Sequence, residues 1–120
     1  MPTRKWSEFE VQAVAWTILN KWYDKTYSVR GEYRLWFDQP DNEPNLRDSV
    51  RLDIAILDKA TDEIKLILQV KRNKTGRTRG KIHRIKASSD LSQIPLVVVE
   101  GMHQAIHVVD EVKKHLPLAR

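Results

Sequence analysis

Apolar positions recur along this chain with two periods, and the switches between them divide it into elements. Ser7 followed three residues later by Glu10 makes a capping-box pattern, and Val11, Val14, Ala15, Ile18 and Trp22 then recur at helical spacing. A helix from residue 7 to about 22 is predicted. Tyr33, Leu35 and Phe37 alternate with Arg34 and Trp36, which suggests a first strand, and the following DQPDNEPNLRD, rich in Pro, Asn and Asp, reads as a loop. Residues 50–57 and 64–71 are apolar or alternating runs separated by DKATDE, the pattern of a hairpin with a short loop. Gly76 and Gly80 then precede a possible helix carrying Ile82, Ile85 and Leu91. IPLVVVE, residues 94–100, is a continuous β-branched run suited to a buried, parallel-paired strand. Ile106, Val109, Val112 and Leu116 return to helical spacing and predict one final helix. The expected order is α-β-β-β-α-β-α, an α/β chain.

With 120 residues and no repeat or low-complexity segment, the expectation is a single domain over 1–120 built on one shared core. The absence of cysteine removes any disulfide framework or thiolate metal site and favours a reducing compartment, the cytoplasm by default. MPTRKWSEFE lacks the apolar stretch of a signal peptide, and no run has the length that spans a bilayer, so a soluble protein is expected.

Charge changes the picture through its placement. Lys71, Arg72, Lys74, Arg77, Arg79, Lys81, Arg84 and Lys86 are eight of the 21 basic residues, with no acid among them, while the rest of the chain is net acidic against an overall charge of +5. Such concentration marks either a polyanion-binding surface, where neutralised phosphates release counterions, or a solvated loop.

Candidate chemistry lies just before this basic run. Side chains alternate along a strand, so Asp53 shares a face with Arg51, Ala55 and Leu57, while Val50, Leu52, Ile54 and Ile56 point the other way. Gln69 and Lys71 share a face with Lys65 and Ile67. A short hairpin loop sets Asp53 level with Ile67 or with Gln69, and either register brings Asp53 and Gln69 to one face, with Cβ atoms roughly 5 to 8 Å apart. Two strands can thus build a divalent-metal site. The helical stripe 11, 15, 18, 22 extends back to Glu8, a candidate third oxygen ligand, although a carboxylate in a first helical turn is also favoured by the helix dipole alone.

Asp53, fifteen residues, and then QVK resembles the PD-(D/E)xK nuclease signature, and QVKR is similar to the Q-x-K variant of Mrr-type restriction endonucleases. SEFEVQAVAW with VRLDIAI, LILQVK and IPLVVVEG also resembles the archaeal Holliday junction resolvases, whose catalytic glutamate takes the position of Glu8. The resemblance runs from about Glu8 to Gly101 and implies a restriction endonuclease-like core, a central mixed sheet flanked by helices. Two departures stand out: no proline precedes an aspartate at the motif start, and Gln69 is neutral where the triplet is usually acidic.

The resemblance implies Mg²⁺-dependent hydrolysis of DNA phosphodiesters, with Mn²⁺ as an alternative metal, Glu8, Asp53, Gln69 and the Val70 carbonyl as ligands, and Glu8, Asp53, Gln69 and Lys71 as the catalytic set. A hard divalent cation takes oxygen ligands and can activate a bound water. Lys71 would orient that water and offset developing charge. Arg72, Lys74, Arg77, Arg79, Lys81 and Arg84 would hold the backbone of a duplex or branched DNA without reading bases. The alternative function is a non-catalytic DNA-binding protein, or a subunit or control factor of a larger restriction, recombination or excision system.

Two further patterns remain. His103 and His107 stand four apart, but Gln104 occupies the place of the zinc-protease glutamate, and surface histidines are the plainer expectation. Phe9, Trp16 and Tyr23 repeat every seven residues on the side of the first helix opposite the Glu8 stripe, which suits either a homodimer face or packing by the carboxy-terminal helix.

Overall fold

The first helix forms where its cap predicts. Ser7 Oγ accepts the Glu10 N–H at 3.1 Å, Glu10 Oε1 accepts the Ser7 N–H at 3.2 Å, and α1 spans Glu8–Tyr23. This computed structural model describes residues 6–37, 48–71 and 93–118. Within them follow β1 (Tyr27–Phe37), β2 (Asp48–Asp58), β3 (Ile64–Lys71), β4 (Leu96–Glu100), α2 (Gly101–Ile106) and α3 (Val108–Val112). The helix expected around Ile82, Ile85 and Leu91 lies outside the described residues.

The four strands form one mixed sheet in the order β1-β2-β3-β4. Both hairpin pairings are antiparallel, and β4 runs parallel to β3 as its β-branched run predicts. The turn between β2 and β3 is organised by Asp58, whose Oδ1 accepts the Ala60 and Thr61 N–H groups at 2.8 and 3.1 Å. Those bonds, Ala60 first and Thr61 next, hold the Asp58 carboxyl below its usual range.

The main core joins one face of the sheet to the helices. Val11, Ala15, Leu19 and Tyr23 of α1 meet Val29, Ile54, Ile56, Leu66, Leu68, Val70, Val97 and Val99 of the strands, and Ala105, Val108, Val112 and Leu116 complete the layer. Leu19 is fully buried, so its truncation to alanine is worth about 2–5 kcal/mol. Leu52, Ala55, Leu57 and Ile67 form a second cluster, packed with Tyr33, Ile64, Ile94 and Leu96.

Four expectations are corrected here. The buried stripe of α1 runs through Leu19 and Tyr23, whereas Trp22 is 56% exposed. Phe9, Trp16 and Tyr23 do not act as one face: Phe9 is exposed, Trp16 Nε1–H donates to the Val29 carbonyl at 3.0 Å, and Tyr23 takes the expected packing by the carboxy-terminal segment, its buried O–H donating to the Leu116 carbonyl at 2.7 Å. Burial, with a smaller contribution from Tyr27, pushes the Tyr23 hydroxyl up to about 12. β1 begins six residues before Tyr33, at Tyr27. The final helix is broken at His107 into α2 and α3, which turns Ile106 outward and buries Ala105 and Val108 instead.

Candidate functional site

The strands that carry Asp53 and Gln69 depart from regular pairing at those residues. The β2–β3 ladder pairs Ile54 with Leu68, and the same register continued by one residue sets Asp53 opposite Gln69. There the bonding passes to side chains. Gln69 Oε1 accepts the Asp53 N–H at 2.8 Å, and Asp53 Oδ2 accepts the Val70 N–H at 2.7 Å. Each side chain thus satisfies a backbone donor on the other strand, where an ordinary ladder would have used carbonyls.

On the other side of β2 the β1 pairing also skips this level. Gly31 pairs with Ile54 and Tyr33 with Leu52, while Glu32 between them adopts φ 51, a left-handed conformation unusual for a side chain other than glycine. The alternation of faces slips at this point, so Leu52 joins Ala55 and Leu57 in the second cluster and not Ile54 and Ile56 in the first. The expected grouping of Leu52 with Ile54 is therefore wrong, because strict alternation fails at Asp53, where the β1 pairing skips a level and the β3 pairing ends.

Gln69 is 1% exposed, and Lys71 is also buried. A primary amide can fill such a position at modest cost because its oxygen has a donor to meet. The alternating strand carries Lys71 two residues on, at the end of β3, level with Glu100 at the end of β4. Its Nζ lies 3.6 Å from Glu100 Oε1, where the lysine side chain is 11% exposed and the glutamate 48%.

Glu100 is held at that level by a built junction. Gly101 takes φ 84, turning the chain sharply from β4 into α2, and the Gln104 Oε1 accepts the Glu100 N–H at 2.8 Å. Glu100 makes no side-chain capping bond to α2, and its carboxylate reaches across to β3. Sequence patterning places Glu100 only as the last residue of the IPLVVVE run. The signal was available in the acid-glycine pair that closes the β-branched run.

Glu8 lies exposed in the first turn of α1. Trp16 and Gln12 approach Gly31, which is paired to Ile54, so the middle of the helix lies against that part of β1. Among the predicted ligands the structure joins Asp53, Gln69 and Val70 directly through hydrogen bonds. Arg72, Lys74, Arg77, Arg79, Lys81 and Arg84 lie outside the described residues.

The residues expected as ligands offer only oxygen, the chemistry that Mg²⁺ or Mn²⁺ takes, with two carboxylates among them, Glu8 and Asp53. Among the described residues no group of three or more His, Asp or Glu side chains could hold a metal ion. Gln69 Oε1 and Asp53 Oδ2 already accept backbone N–H groups, although a carbonyl or carboxylate oxygen retains a second lone pair. The donor set fits a single hard cation held with waters better than a two-metal centre.

His103 and His107 form a separate feature. Their rings meet edge to face at 4.9 Å, and with Gln104, Asp110, Glu111 and His115 they line a pocket of about 520 Å³ against β4. No helix among the described residues is long and apolar enough to cross a membrane. No protein-family model, curated protein or solved structure matches the chain.

Proposed function

We propose that this chain is a metal-dependent endodeoxyribonuclease with a restriction endonuclease-like core, acting on junction or duplex DNA. The observation that carries the proposal is the meeting of Asp53 with Gln69 and Val70, one residue before Lys71, at a level where the β1–β2 ladder skips a pair and the β2–β3 ladder ends. The same level thus brings a carboxylate and, one residue past Val70, a lysine to neighbouring strands. The antiparallel meander followed by a parallel β4 makes a mixed sheet, which is compatible with the core that the motif resemblance implies.

In this reading Asp53, with Glu8 and the Gln69 and Val70 oxygens, would hold one Mg²⁺ or Mn²⁺. When bound, the metal would polarise a phosphate oxygen and acidify a water. The chain's own residues do the positioning. The Val70 N–H fixes the Asp53 carboxylate, and Gln69 fixes the backbone of Asp53, so the ligand is pre-set before substrate arrives. Lys71, whose side chain is 11% exposed, would bring a positive charge to the developing negative charge on the phosphate. The basic residues from Arg72 to Arg84 would hold the DNA backbone, which favours recognition by shape over recognition of bases.

One observation favours a second reading. The triplet position is neutral, and its side chain serves as a bond between strands. A non-catalytic DNA-binding subunit of a restriction, recombination or excision system would keep this bond and the basic run of the sequence without a metal. The two readings separate on a panel of linear duplex, supercoiled plasmid, single strand and four-way junction incubated with Mg²⁺, Mn²⁺ or EDTA. Cutting that requires metal supports the nuclease. Salt-sensitive binding with no cutting in either metal supports the subunit.

A further inference from the structure

Resting on the nuclease reading, we infer that Glu100 is the internal counterion of Lys71, occupying the ammonium until a DNA phosphate displaces it. The carboxylate is 3.6 Å from Nζ, and the two residues are register partners across the parallel β3–β4 pair. The lysine is held while the acid can leave. Lys71 is fixed on a buried strand end with its side chain 11% exposed, whereas the Glu100 side chain is 48% exposed and makes no capping bond. A phosphate approaching from solvent therefore meets the lysine across the glutamate. Swinging the carboxylate outward needs no movement of the backbone, which Gly101 and the Gln104 bond hold in place.

This arrangement assigns Glu100 two consequences. It keeps a nearly buried ammonium paired in the DNA-free protein, and it makes every phosphate compete with a tethered carboxylate for that ammonium. Glu100 acts on the reaction through Lys71 and is a positioning residue.

The test is DNA binding in EDTA, measured across a salt series on a duplex and a four-way junction, for the wild type, Glu100→Gln, Lys71→Gln and the double variant. Glutamine keeps the backbone N–H that donates to Gln104 Oε1 and removes only the charge. The expected result is about three- to tenfold tighter binding by Glu100→Gln at low salt, with the log–log salt slope steeper by up to about 0.9 on duplex, the value of one additional neutralised phosphate. In the double variant that gain disappears. Equal tightening with and without Lys71 would reduce the effect to net charge and overturn the inference, as would unchanged or weaker binding by Glu100→Gln. Cleavage of the same DNAs by the wild type on adding Mg²⁺ reports separately on the nuclease reading. A wild type that binds and cuts while Glu100→Gln binds no better overturns the counterion alone, whereas a wild type that neither binds nor cuts overturns both.

Discussion

Gln69→Glu places an acid at the bond between β2 and β3, and the structure predicts that this acid is destabilising without metal. The amide it replaces is 1% exposed, accepts the Asp53 N–H, and sits beside the carboxylate of Asp53. Burial and a neighbouring negative charge both raise the pKa of an introduced carboxyl. Its cost is bounded, because the group can take up a proton instead of remaining charged. With an unfolded-state pKa of about 4.3 and about 1.36 kcal/mol per unit, full protonation costs about 3.7 kcal/mol at pH 7 and about 1 kcal/mol at pH 5. The sign follows from the raised folded-state value: the penalty is absent below the unfolded pKa and grows as pH rises toward the folded one. Gln69→Leu, in contrast, leaves the Asp53 N–H without its acceptor and should cost about 1–3 kcal/mol at both pH values. Denaturant unfolding of the metal-free protein at pH 5 and pH 7 measures both. Stability of Gln69→Glu equal to wild type at pH 7 in EDTA would refute the assignment of Gln69 as a buried bond between strands.

Other outcomes test the frame around the site. Ser7→Ala removes the acceptor of the Glu10 N–H and should lower stability by about 1 kcal/mol in thermal unfolding. Tyr23→Phe should cost about 1–3 kcal/mol by leaving the Leu116 carbonyl without its donor, and denaturant midpoints would show it. Because the Tyr23 hydroxyl is raised to about 12, its contribution is complete below pH ~10 and declines as pH approaches 12, so the wild type should lose more stability than Tyr23→Phe over that interval. Gly101→Ala meets no atom within 4 Å of the added methyl, so any loss, about 1–2 kcal/mol, reports backbone conformation at φ 84 and not a clash.

The legible part of the fold came from local signals. Ser7 and Glu10 mark a helix start within four residues, and the bounds of β3 follow from an apolar run closed by charge on one side and a turn on the other. The meeting of Asp53 and Gln69 was also within reach, since a short loop restricts the register and alternation restricts the face. What escaped depends on partners distant in sequence. Whether Trp22 or Tyr23 is buried is decided by a carbonyl 93 residues away, at Leu116. The break at His107 has neither proline nor glycine to announce it, and the slip of faces at Asp53 requires an irregularity in β1, at Glu32, that alternation within β2 does not contain. The pairing of Lys71 with Glu100 likewise follows from the parallel register, which fixes their common level only once both strands are placed.

The central claim is that Asp53 and Lys71 serve phosphodiester chemistry. The most direct measurement is Mg²⁺-dependent cleavage of supercoiled plasmid and four-way junction by the wild type, Asp53→Asn and Lys71→Ala, with folding checked by circular dichroism. Asparagine can still accept the Val70 N–H, so Asp53→Asn removes charge while keeping the bond between strands. The account predicts folded variants whose cleavage falls by at least about a hundredfold, the scale on which a single transition-state contact is lost. Wild-type rates in a folded Asp53→Asn would contradict it.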